Sequence, residues 1–530
     1  LTLKAQAMGV MNDFERRRLQ DSGPAEIIKA IEPFGYFSPT ITTTARTQGR
    51  AWVLRYRVDA GPPMKIRSFQ TQFQGPGAQK AALVNLQHRF QLAQDVVFTT
   101  AAYTHDTRLF IERAATFGFI RANTDQSRVQ INRPLHVADV NLILDSGPLY
   151  RFGPITFNDQ PYSEAFLRRF LRFQANDPYS AVKVVALRRD LQGADLFRSV
   201  SIERQDSNAD QTRQIPLAIK LVPNDPYNYY LGLGLSSDDG LRGLFGVRIR
   251  RVRDQGQHID LSMRATQKRA DISASYTIPG RRPATDYYVI SADYLARNKQ
   301  EFGHSRSLNA QVKSVFERLG WRHTWAINYL REHSFPSNAP DYLSTLVYPE
   351  LSLSRIWPKM GWVEPFETIA SVRGGSRALT SDVSFLQSQA QFRWLQNLSD
   401  NHRIRIEASA GKTWRAPLAQ LPLSMQFAVG GSQSLRGYHF NSIGPGKTMK
   451  TVSIELQQRI RGDIFALFFL DQGNASAHLS DRLYRGPGAG VMISTVIGDI
   501  ELTVAKAWDL PSRPLRVQFN INRLLRGRGT

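Results

Sequence analysis

Apolar positions along the chain change their period near residue 225. Ahead of that point they recur at helical spacing in three places: Ile27, Ile28, Ile31 and Phe34; Leu109, Phe110, Ala114 and Phe117; and Val184, Leu187 and Leu191. Each stretch runs into Gly35-Tyr36-Phe37, Gly118-Phe119 or Asp195-Leu196-Phe197, then into strand-like segments ending at Gly61-Pro62, Gly147-Pro148 and Val222-Pro223. The interval is roughly 80 residues, so one divergent unit is repeated three times. Residues 66–73 and 150–157 read as opening strands of the second and third units, giving each a β-α-α-β-β order. Residues 1–10 show no such strand, so the first unit is expected to begin further upstream.

From about Tyr227 the period becomes two, and segments recur between Gly, Pro, Asp and Asn turns. In residues 402–410, Ile404, Ile406, Ala408 and Ala410 face one way, and Arg403, Arg405, Glu407 and Ser409 the other. Tyr288, Ile290, Ala292 and Tyr294 alternate in the same way, as do Trp325, Ile327 and Tyr329, then Ala390, Phe392 and Trp394, and Val517, Phe519 and Ile521. Alternation alone fits a soluble sandwich as well as a barrel. The number of such segments, the many aromatic positions suited to interfacial girdles and the long polar connections favour a membrane-spanning barrel. About 300 residues at roughly 19 per strand and connection hold about 16 strands. The expected fold is therefore α+β repeats over 1–62, 63–147 and 148–225, followed by an all-β transmembrane barrel of about 16 antiparallel strands over 226–530.

Composition narrows the chemistry. The longest apolar run, Ile464 to Leu470, is far shorter than the roughly 18 residues a membrane helix requires. The mean hydropathy of -0.34 is compatible with a barrel, whose strands are polar on one side. There is no cysteine, and the ten histidines show no ligand spacing, so no metal or other cofactor is expected. A net charge of +23 without a stacked aromatic and basic pattern points to anionic lipid headgroups rather than nucleic acid. No Gly-x-Ser-x-Gly elbow is present, and Gly446-Lys447-Thr448 lacks the first glycine of a phosphate loop, Asn441 standing there instead. An enzyme is not expected. No basic and apolar leader opens the sequence, consistent with its removal.

Residues 427–438, Phe-Ala-Val-Gly-Gly-Ser-Gln-Ser-Leu-Arg-Gly-Tyr, resemble the sixth-loop signature of the BamA and TamA superfamily of outer-membrane assembly factors. Downstream, Phe469-Leu470-Asp471-Gln472-Gly473 resembles the Phe-x-Asp-x-Gly strand motif of that superfamily, and Glu455 sits on the strand after the loop. The α+β unit looks like a POTRA domain, with Tyr150-Arg151-Phe152-Gly153 opening the third. The resemblance implies a loop tip, Gly430, Gly431, Leu435, Arg436, Gly437 and Tyr438, folded into the lumen, with Arg436 bound to Glu455 and Asp471 beside Phe469 and Gly473. A guanidinium drawn out of water needs carboxylates, and the arginine fork can bridge two.

The resemblance also implies a lateral seam between residues 229–236 and 515–522. Leu231, Leu233 and Leu235 would face lipid, with Gly232, Gly234 and Ser236 facing the lumen, opposite Val517, Phe519 and Ile521. Two features depart from the family pattern: a basic tail over 523–530 in place of a terminal aromatic residue, and no kinking glycine in the last strand. Three modules without a plug helix match the TamA branch better than BamA, with its usual five, or the two-partner secretion transporters, with two and a plug. The resemblance therefore implies an outer-membrane factor of a Gram-negative bacterium with its POTRA arm in the periplasm. It would help autotransporters and other barrel proteins to insert, and exposed sheet edges would accept their unfolded strands. Implied partners are a TamB-like inner-membrane-anchored periplasmic protein, unfolded outer-membrane clients and outer-membrane lipid. A two-partner secretion translocator or a passive pore is the alternative.

Overall fold

The computed structural model describes residues 13–48, 51–205, 209–495 and 498–522. Residues 1–10, whose pattern shows no opening strand, and the basic tail over 523–530 lie outside them. Two compact units are present: Leu1–Asn158 with Arg172–Arg188 and Ser201–Lys220, and Asp159–Leu171 with Arg189–Val200 and Leu221–Thr530.

Helix α1 (Asp13–Ile31) half-buries Ile27, Ile28 and Ile31, but Phe34 does not continue that face. Pro33 has no N–H to continue the helical ladder, and the chain tightens into a 3-10 turn at Glu32–Phe34 that leaves Phe34 exposed. Gly35, at φ 94°, closes the turn. Strands β1 (Thr40–Gln48) and β2 (Ala51–Asp59) then pair antiparallel as a two-stranded sheet.

Next come β3 (Lys65–Gln74), α2 (Ala81–Val84), α3 (Thr100–Thr116), β4 (Arg128–Asn132) and β5 (Val137–Asp145), with sheet order β3-β5-β4. β3 lies parallel to β5, which requires a crossover, and the helices supply it. Thr99 caps α3 by accepting from the Ala102 N–H at 3.1 Å. Ala138, Val140, Leu142 and Leu144 alternate inward from β5 onto Phe110 and Ala114, while Phe117 is only partly buried at the edge of this core. The same arrangement returns as β6 (Arg151–Phe157), α4 (Glu164–Arg168), α5 (Ala181–Gly193), β7 (Phe197–Arg204) and β8 (Gln214–Pro223), in sheet order β6-β8-β7. Val184, Leu187 and Leu191 are buried. The outer strands β3 and β6 carry register shifts, and β6 contains Pro154, features that blunt an edge against pairing.

The rest of the described chain forms a closed barrel of 16 antiparallel strands, from Tyr227–Ser236 to Leu515–Asn522. Its burial pattern resolves the choice between sandwich and barrel. In the seventh strand, Trp321–Pro336, Trp325 and Ile327 are exposed, whereas Asn328, Glu332 and Ser334 are buried. Apolar side chains face outward and polar ones inward, as a lipid-facing wall demands. Strand length varies round the ring. The sixth to eighth strands, Gly303–Arg318, Trp321–Pro336 and Tyr342–Trp357, have 16 residues each, the first has ten, and the last has eight among the described residues.

Closure is uneven. The first strand pairs with the second along its whole length, from Gly240↔Ser236 to Ile249↔Tyr227. Against the last strand it has one registered pair among the described residues, Asn520↔Ser236.

Candidate functional site in the barrel lumen

The connection between the eleventh strand, His402–Trp414, and the twelfth, Thr448–Arg461, folds back inside the barrel. Its first part is held by the wall opposite the seam. Glu332, fully buried, accepts from the Ser424 N–H at 3.0 Å, Ser334 accepts from Leu423 at 3.2 Å, and Gln387 donates to the Met425 carbonyl at 2.9 Å. Leu421 and Met425 pack into a lumenal apolar cluster with Leu330, Leu346, Tyr348 and Phe385.

The second part is a short hairpin, Phe427–Val429 against Ile443–Gly446, carrying the tip residues. Gly430 and Gly431 have φ of 124° and 95°, a conformation that side chains disfavour and that lets the tip reverse between the two hairpin strands. Ser434 receives the Gly430 N–H at 2.8 Å and fixes the turn.

Arg436 is the centre of the tip. Its Nε donates to Asp471 Oδ2 at 2.8 Å and its Nη2 to Asp471 Oδ1 at 2.8 Å, a bidentate fork, while its backbone N–H reaches Oδ2 at 3.0 Å. Nη1 bonds to Glu455, and Nη2 also donates to Ser453 at 3.1 Å. The Phe469 ring lies under the guanidinium, 3.3 Å from centroid to carbon. Only 8% of Arg436, 2% of Glu455 and none of Asp471 is exposed, so each charge depends on its partners to replace water.

The spacing of these residues follows from the pleat. Phe469, Asp471 and Gly473 sit at intervals of two on the thirteenth strand, Ile464–Ser476, and point the same way. Ser453 stands opposite Asp471 and Glu455 opposite Phe469. Ser453 donates to Asp471 at 2.7 Å and Gln457 to Glu455 at 2.6 Å, which orients both carboxylates. Gly473 is a glycine because a Cβ there would meet Leu435 Cδ1 at 2.6 Å, and Leu435 is fully buried. Gly437 passes tightly over the backbone at Lys506 and Ala507. Tyr438 packs edge-on against Tyr484, donates to the Arg485 carbonyl at 3.1 Å and accepts from the Asp509 N–H at 3.3 Å. In the connection beyond the fifteenth strand, the hydrogen bond from Arg485 holds the Asp509 carboxyl below its ordinary pKa.

The structure thus brings together the tip, Glu455, Asp471, Phe469 and Gly473. Along the seam, Leu231, Leu233 and Val517 are exposed on the outer wall, Gly232 and Gly234 are half-buried, and Phe519 and Ile521 are partly covered. These seam residues are not registered against one another. Sequence reasoning did not single out Ser453 and Gln457, although both lie two residues from Glu455 on its own face. It also missed Asp238, Glu332 and Gly486, which no local pattern marks.

A barrel whose lumen holds a re-entrant loop on an arginine–carboxylate clamp, preceded by α+β modules, defines an outer-membrane class. An Omp85 superfamily domain model matches residues 252–523, and a model of POTRA domain TamA domain 1 matches residues 4–60. The chain belongs to the Omp85 superfamily. It is 20% identical over 435 residues to the outer membrane protein assembly factor BamA of Nitratidesulfovibrio vulgaris (strain Hildenborough), covering 74% of this chain and 53% of that protein. The chain therefore spans about half the length of this curated relative. Among solved structures, BamA of Haemophilus ducreyi lacking POTRA domains 1–3 is similar at 15% identity and a TM-score of 0.66, covering 86% of this chain and 99% of the other. CdiB of Acinetobacter baumannii is similar at 13% identity and a TM-score of 0.54, covering 97% and 100%. At these identities the likeness is one of fold. Barrel, POTRA domain and family together place the protein in the outer membrane with its N-terminal arm in the periplasm.

Proposed function

We propose that this chain is an assembly factor of the TamA kind, which helps autotransporters and other barrel proteins to insert into the outer membrane. The observation that carries this reading is the loop clamped inside an Omp85 barrel, with Arg436 held by Asp471 and Glu455. Among the described residues, the joint between the last and first strands has one registered pair, while the neighbouring joint is paired along its full length. Strands that part at the last-to-first joint would offer their N–H and C=O groups as a template for a client strand. Three POTRA modules, over 1–62, 63–147 and 148–225, would pass clients toward it. With β3 and β6 blunted, β4 and β7 are the edges suited to capture. The test is to reconstitute the protein in liposomes, add a urea-denatured autotransporter and follow heat-resistant folding by gel. Faster folding than in empty liposomes is expected. Unchanged folding with ion conductance intact would favour a secretion channel or pore instead.

The match of residues 4–60 to a TamA first POTRA domain supports a docking role for that module. Its partner in this reading is a TamB-like periplasmic protein anchored in the inner membrane. Deleting residues 1–62 is expected to abolish copurification with that partner while leaving the barrel folded. Retained copurification would refute the assignment.

A further inference from the structure

We propose that Asp238 is a positioning residue that ties the lumenal loop to the barrel seam. It stands in the turn after the first strand, and its side chain is 4% exposed. Oδ2 accepts from the Ser432 N–H of the loop at 2.7 Å. Gly431 is pressed against the same oxygen, since a Cβ there would meet it at 2.8 Å. Oδ1 accepts no hydrogen bond among the described residues and faces Arg516 of the last strand, 3.8 Å away. The Asp238 N–H is held by Ser236 Oγ at 3.2 Å.

Its neighbours in the chain form the seam. Ser236 is registered against Asn520, and the Ser237 N–H donates to the Phe519 carbonyl at 3.0 Å. Three consecutive residues thus bind the last strand and the loop at once. Leaving a buried carboxylate without a donor is unfavourable, so the turn keeps its shape while Ser432 stays in place. The docked loop holds the seam shut through this carboxylate, and withdrawal of the loop releases the turn and the last strand together.

This coupling rests on the assembly reading of the seam, but it is measured without a client. The chain has no cysteine, so Leu235→Cys with Ile521→Cys, the next positions outward in the Asn520↔Ser236 register, reports closure by disulfide formation in outer-membrane vesicles. Asp238→Ala is expected to slow disulfide formation by roughly tenfold or more, the scale of a lost hydrogen bond to a charged group. Asp238→Asn, whose amide oxygen can still accept from Ser432, is expected to fall between the two. Gly431→Ala leaves every charge in place and displaces the loop from the carboxylate, so it should slow the reaction as Asp238→Ala does. With the loop already displaced by Arg436→Ala, adding Asp238→Ala should have no further effect. Heat-modifiable migration on a gel confirms a folded barrel in each variant. A rate for Asp238→Ala equal to or above that of the parent, or additive effects in the double variant, would overturn the proposal. Normal coupling in a protein that fails to fold clients would instead overturn the assembly reading and leave this one standing.

Discussion

Arg436→Ala is expected to leave a folded barrel that no longer accelerates client folding. The substitution removes three guanidinium bonds to two buried carboxylates and the cation above Phe469. Breaking a buried ion pair from one side costs about 3 to 5 kcal/mol, a cost that lumenal water reduces. Even the lower figure would shift the docked fraction of the loop by about a hundredfold. The wall itself keeps its ladder between the twelfth and thirteenth strands, so the barrel survives. The check has two parts: heat-resistant folding of the client, and labelling of a cysteine placed at Ser432, which becomes accessible if the loop leaves. Wild-type client folding in this variant would sink the claim. Asp471→Asn should act in the same direction but less strongly, because one oxygen and Glu455 remain.

Gly486→Val is expected to produce the same loss without altering any charge. Gly486 lies on the fourteenth strand, Tyr484–Thr495, directly opposite Asp471. A Cβ at this position would overlap the Arg436 carbonyl oxygen, which is backbone and cannot rotate aside. Overpacking of this kind costs about 1 to 3 kcal/mol, and moving the loop tip outward relieves it. If the clamp matters only through its charges, this variant keeps full activity and the steric reading fails. If both variants lose client folding and Ser432 becomes labelled in each, the docked position of the loop is what the activity requires. Because both act on one event, the double variant should be no worse than Arg436→Ala alone.

The alternation at Trp325, Ile327 and Tyr329 was legible because the pleat fixes a period of two, whereas the strand motif at Phe469, Asp471 and Gly473 was legible only through its resemblance to the Phe-x-Asp-x-Gly motif of the superfamily. Which face met water was not, since a sandwich and a barrel write the same alternation. The helical face at Ile27, Ile28 and Ile31 was visible, but its extension to Phe34 overlooked the proline beside it. Asp238 and Ser432 are separated by 194 residues, and Glu332 and Ser424 by 92. Such partners meet only because the ring closes and the loop turns inward. No window along the chain contains both. Gly486 is hidden differently, as a missing side chain that matters only once the Arg436 backbone passes over it.

The taper of the barrel wall has a consequence for the surrounding lipid. At about 3.3 Å per residue, the 16-residue strands on the far side run for about 53 Å, and the ten-residue first strand for about 33 Å. A tilt near 45° reduces that shorter height to about 23 Å, under the roughly 30 Å of a hydrocarbon core. Acyl chains beside the short strands must compress or tilt to cover the protein there, while those on the far side need not. The bilayer is thus thinner beside the first strand than beside the sixth to eighth.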